Sequence, residues 1–77
     1  MTNAPKPVYV VFADKLNREL GDFDQVCMSE AEAKREVKDL KKMGHDEAHA
    51  LRATSEEAVE AWQDARRDGK RKAFPRA

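Results

Sequence analysis

Seventy-seven residues, 40% hydrophobic and 39% charged, limit the chain to one domain with a thin core. A chain of roughly 60 residues buries only about 60% of its unfolded surface. The formal net charge of +0 is a composite: residues 66–77 carry six basic side chains against Asp68 alone, net +5, and residues 1–65 carry nine basic against fourteen acidic, net −5.

Pro5 and Pro7 set residues 1–7 apart as a flexible, extended N-terminal arm, poorly suited to helix or central strand. The β-branched and aromatic run VYVVFA, residues 8–13, predicts a strand. Tyr9, Val11 and Ala13 share one face and Val8, Val10 and Phe12 the other, so it is either central or has a second face that meets a partner. DKLNRELGD, residues 14–22, reads as a polar connector with Asn17 and Gly21 as turn formers. FDQVCM, residues 23–28, alternates as a hairpin partner for the first strand. Cys27 is the only cysteine, which excludes an intrachain disulfide, and Val26 and Met28 beside it predict a buried, inert thiol.

Ser29 and Glu32 form a capping box, and Ala33, Val37, Leu40 and Met43 follow helical spacing up to Gly44, a C-terminal stop. The same grammar recurs 25 residues on. Thr54 and Glu57 form a box, Ala58, Trp62 and Ala65 a stripe, and Gly69 a stop. A duplicated unit would explain the matches; so would two ordinary amphipathic helices. DEAHALRA, residues 46–53, predicts a third strand with His49, Leu51 and Ala53 on one face, the alternative being an all-helical C-terminal half. The expected fold is α+β, a small β-β-α-β-α domain over residues 8–69 whose three-stranded sheet carries two helices on one face. Residues 70–77 are expected to be a basic flexible tail that either reaches a partner or folds back on its own acidic domain.

The nearest approach to a catalytic motif is HDEAH, residues 45–49. Zinc peptidases place two histidines and a glutamate as H-E-x-x-H on a helix. Here Asp46 holds the second position, and on a strand His45 and His49 lie about 13 Å apart. Asp14, Glu19, Asp22 and Asp24 read as a solvated acidic loop or an electronegative docking edge, and Ser29 and Ser55 are engaged at helix caps. No nucleophile lies beside an evident base, so no catalytic residue, metal, cofactor or enzymatic activity is expected. With no apolar run near the ~20 residues of a membrane span, and no hydrophobic signal region in MTNAPKP, the expectation is a cytoplasmic protein without a membrane partner. Trp62, on its helical stripe, reads as a core anchor.

Across residues 8–66 the element order resembles the N-terminal hybrid-binding module of some ribonuclease H enzymes. That module's Gly-Ile-Tyr turn and following tryptophan are absent where GDFDQVCMS stands, so no hybrid-binding residue carries over. In size, cysteine-poor charged composition and two-signed charge layout the chain also resembles small phage-encoded regulators of host machinery, including RNA polymerase. That resemblance implies a non-enzymatic regulator or inhibitor that binds a larger host protein complex, such as RNA polymerase, by occlusion or allosteric bias. The partner-binding candidates are Lys6 in the arm, Tyr9 and Val11 on the double-faced strand, and Lys70, Arg71, Lys72, Phe74 and Arg76 in the tail. The alternative is a nucleic-acid-binding module in which the tail acts beside a stripe of Lys34, Lys38, Lys41 and Lys42.

Overall fold

The computed structural model describes residues 6–77. Most of the expected arm lies outside the described residues; Lys6 is exposed and Pro7 half-buried. The order is β1 (Val8–Phe12), α1 (Lys15–Leu20), β2 (Gln25–Cys27), α2 (Glu30–Lys42), β3 (His49–Ala53) and α3 (Glu56–Arg67). The fold is α+β, with one antiparallel three-stranded sheet in the order β2-β1-β3. Tyr9 pairs with Cys27 on one side of β1 and with Arg52 on the other.

The two long helices lie on opposite faces of the sheet, not on one face as expected. Strand alternation explains this. Val8, Val10 and Phe12 join Ala53, Val59 and Trp62 in a core between the sheet and α3. Val11 joins Cys27, Ala33, Leu40 and Ala48 in a second core beneath α2. Both outer strands run antiparallel to β1, so they are parallel to each other, and α2 connects them by crossing over β1. Full burial of a Val or Phe side chain stabilises by about 1.5–3 kcal/mol, so leaving either face of β1 in water would cost several such contributions.

The expected connector over residues 14–22 contains α1 instead. Asp14 is its N-cap, accepting a hydrogen bond from the Asn17 amide at 2.7 Å. Gly21 closes it at φ 80°, and the Asp22 amide donates to the Asn17 carbonyl at 2.8 Å, the long bond of a Schellman turn. Helix α1 buries none of its residues and is tied to α3 through its last carbonyls. Gln63 Nε2 donates to the Gly21 carbonyl at 3.0 Å, and Arg66 Nε donates to the Glu19 carbonyl at 2.8 Å, with Arg66 Nη2 directed at the same oxygen.

The N-cap of α2 is Ser29, as its spacing predicts. In α3 the cap is Ser55, not Thr54: its Oγ accepts from the Ala58 amide at 3.1 Å. That shifts the buried stripe to Val59 and Trp62 and breaks the 25-residue correspondence with α2.

The tail is docked, where its composition predicts disorder. The Thr54 amide donates to the Pro75 carbonyl at 2.9 Å, the Ala77 amide donates to the Arg52 carbonyl at 3.1 Å, and Ala53 and Arg76 form an antiparallel bridge. Pro75 supplies only an acceptor, which suits an edge position. Phe74 is half-buried, with its ring 5.0 Å from Trp62 and 5.9 Å from Phe12, both in edge-to-face geometry.

Candidate functional site

Helix α2 turns by about 100° per residue. Ala33 and Leu40 are buried and Val37 is half-buried, which fixes the inward direction. Lys34, Arg35, Lys38, Lys41 and Lys42 then fall within an arc of about 120° on the opposite side, and all five are exposed. With a rise of about 1.5 Å per residue, the cations span about 12 Å along the axis.

The acidic residues of α2 occupy a different flank. Glu32, Glu36 and Asp39 share it, and Glu32 and Glu36 lie near β2, where burial pushes the Cys27 thiol up and the nearby charges of Glu32, Glu36 and Asp24 push it further. Among the described residues the one ion pair is Lys34–Glu30 at 3.2 Å, between largely exposed side chains. Such a pair contributes little in water. The remaining cations of the arc have no carboxylate within 4.0 Å among the described residues.

Beside Lys34 the surface falls into a groove of about 480 Å³ lined by Tyr9, Glu30, Ala33, Lys34, Val37, Ala50 and Arg52. Ala33 and Ala50 leave room between helix and sheet that larger side chains would fill. Alternation along β3 places Ala50 and Arg52 on the α2 side, so Arg52 adds a sixth cation to the basic surface. No protein-family model matches the chain, and no curated protein or solved structure matches it either.

On the other face, the outer side of α3 is acidic. Glu57, Glu60 and Asp64 lie along the outer side of α3 and are exposed. The acidic and basic helix surfaces are separated by the thickness of the sheet.

The residues expected to bind a partner do not form one surface. Val11 is 0% exposed beneath α2 and belongs to the core. Tyr9, on the same face, is half-buried in the groove wall. Lys70 and Arg71 are exposed after α3. Lys72, Phe74 and Arg76 gather with Arg18, Leu51, Trp62 and Arg66 around a second cavity of about 290 Å³, on the α3 side of the sheet. Arg66 reaches across to α1 and is not confined to the end of its own helix.

Trp62 is 3% exposed and anchors the core. His45 is exposed in the turn after α2, whereas His49 stacks on Phe12 with ring centroids 5.4 Å apart. Among the described residues no three His, Cys, Asp or Glu side chains gather as metal ligands, and no helix is long and apolar enough to cross a membrane.

The spacing of Lys34, Lys38, Lys41 and Lys42 was readable from a helix wheel. Arg52 was not, because its role depends on which face of the sheet α2 covers. The strand alternation that separates Ala50 and Arg52 from His49, Leu51 and Ala53 was the available signal.

Proposed function

We propose that this protein is a non-enzymatic nucleic-acid-binding module that uses the basic arc of α2 and Arg52 across the adjoining groove. The supporting observation is the arc of exposed cations on α2 with Arg52 beside it, set on the opposite side of the sheet from the acids of α3. A net charge of zero argues against broad attraction to a polyanion. Once the acids of α3 lie behind the sheet, the basic face can approach phosphates without them. Affinity then comes from release of counterions as Lys and Arg neutralise phosphates. The groove places the half-buried Tyr9 ring next to Lys34 and Arg52, where an unstacked base can meet an aromatic surface. Mapping amide shifts on addition of single-stranded DNA, duplex DNA and RNA tests this directly. Shifts should centre on residues 34–42 and 50–52; shifts confined to α3, or none, would remove the reading.

Docking to a larger protein complex, with RNA polymerase as the partner suggested by the phage-regulator resemblance, is supported by a separate feature. Leu16 and Leu20, one turn apart on α1, are 61% and 54% exposed. Two apolar side chains on a short helix tied down at its C-terminal end offer a small rigid contact, acting by occlusion or allosteric bias. If this is the binding surface, a specific complex captured from host lysate by the wild type is lost with Leu16→Asp/Leu20→Asp. Equal capture by both proteins counts against it.

A further inference from the structure

We propose that the cavity between α1, α3 and the docked tail is a second anion site, separate from the α2 face, and that it takes a phosphate group, free or carried by a nucleoside monophosphate. Four cationic side chains line it, from Arg18, Arg66, Lys72 and Arg76, with Glu19 as the single acidic residue. None of the four has a carboxylate within 4.0 Å among the described residues. Like charges gathered without a counter-ion repel, by about 1 kcal/mol for a pair 4 Å apart even in water. A bound dianion relieves that repulsion.

The fold holds Arg18 and Arg66 in place. Arg18 Nη1 lies 3.2 Å from His49 Nε2, and His49 Nδ1 lies 2.8 Å from the Glu47 carbonyl oxygen. A carbonyl can only accept and a guanidinium can only donate, so Nδ1 carries the proton and Nε2 presents its lone pair to Arg18. The stacking of His49 on Phe12 fixes the ring that holds this arginine. Arg66 is anchored on the Glu19 carbonyl. Lys72 and Arg76 arrive on the tail, whose backbone is pinned to β3 on both sides of Arg76.

The chemistry and the size of the cavity limit the ligand. Guanidinium groups bind the several oxygens of a phosphate in a fork geometry, and a lysine adds a mobile point charge. A volume of about 290 Å³ lies at the lower edge of small-molecule sites, about 300–1,000 Å³. Inorganic phosphate and the phosphate of a nucleoside monophosphate share this chemistry. On this account the basic tail completes a pocket on its own domain.

The test is an amide-shift titration of the full chain with inorganic phosphate and, separately, with adenosine monophosphate, each against sodium chloride of equal ionic strength. Saturable shifts at Arg18, Leu51, Lys72 and Arg76 are expected, absent from the chloride control. Equal affinity for the two ligands identifies phosphate alone as the ligand; tighter binding of the monophosphate adds the nucleoside. Lys72→Ala/Arg76→Ala should weaken binding at least tenfold while Trp62 emission stays unchanged, since the tail's backbone bonds remain. Lys38→Ala/Lys41→Ala/Lys42→Ala should bind phosphate like the wild type even if it loses nucleic acid. The proposal is overturned if neither ligand gives saturable shifts, if the tail variant binds as tightly as the wild type, or if the α2 variant abolishes the phosphate shifts.

Discussion

Phe12 meets three rings: Trp62 at 6.1 Å, Phe74 at 5.9 Å and His49 at 5.4 Å. Phe74 therefore stabilises the domain although it lies in the tail. Full truncation of a buried Phe costs about 3–5 kcal/mol, and half-burial puts Phe74→Ala near 2 kcal/mol. Chemical denaturation should show that loss, together with a red shift of Trp62 emission as water reaches the ring. Cys27 offers a second residue-level test. Its thiol is raised above the ordinary 9.0 by burial first, then by Glu32, Glu36 and Asp24. The folded chain thus holds this proton more tightly than the unfolded chain. The associated stability is intact below pH 9 and is lost as pH rises through the raised value. Between pH 7 and pH 10 the denaturation midpoint should fall further for the wild type than for Cys27→Ala. The burial of Cys27 was legible from Val26 and Met28, whereas the fate of Val11 was not. Two apolar faces on a strand do not say whether a partner or the chain's own helix covers the second.

At the scale of elements, both long helices and all three strands follow from capping, spacing and alternation, although β2 is only three residues long. Helix α1 escaped because it has six residues and no buried side chain, its apolar pair Leu16 and Leu20 being exposed. Asp14 and Gly21 mark its ends locally, but what ties it to the domain is long-range, from Gln63 and Arg66 to the carbonyls of Gly21 and Glu19. Gly21 makes this junction possible. Its φ of 80° suits glycine, and an added Cβ would lie 2.9 Å from Arg66 Cβ. Gly21→Ala should destabilise by more than the ~1 kcal/mol of the backbone alone. Gly44→Ala, which meets nothing within 4 Å, should cost only about that amount, and thermal denaturation of the pair separates the two contributions. Cap position gives a further comparison. Ser55→Ala should lower stability by about 1 kcal/mol and Thr54→Ala by a few tenths at most, since only the Ser55 hydroxyl accepts from the helix. The reverse order would restore the sequence-based box. The tail's docking was left open for a related reason: Lys, Arg and Pro dominate its composition, while one phenylalanine and two backbone hydrogen bonds, at Arg52 and Thr54, hold it.

Over the whole molecule, the zero net charge conceals separate patches of either sign. Counting along the chain shows a basic C-terminus and an acidic remainder, because a count cannot tell which residues the sheet separates. Folding places the basic arc of α2 on one side and the acids of α3 on the other, and adds Arg52 to the first. It also turns the tail toward Arg18 and Arg66, away from that arc. The most direct test of nucleic-acid binding by α2 is fluorescence anisotropy with labelled DNA and RNA at two salt concentrations, comparing the wild type with Lys38→Ala/Lys41→Ala/Lys42→Ala. On duplex, the logarithm of the affinity should fall with the logarithm of salt by about 0.9 per phosphate neutralised. The variant should bind more weakly, with a slope shallower by roughly 2 to 3. Wild-type binding that is absent or insensitive to salt, or a variant with an unchanged slope, would contradict the account.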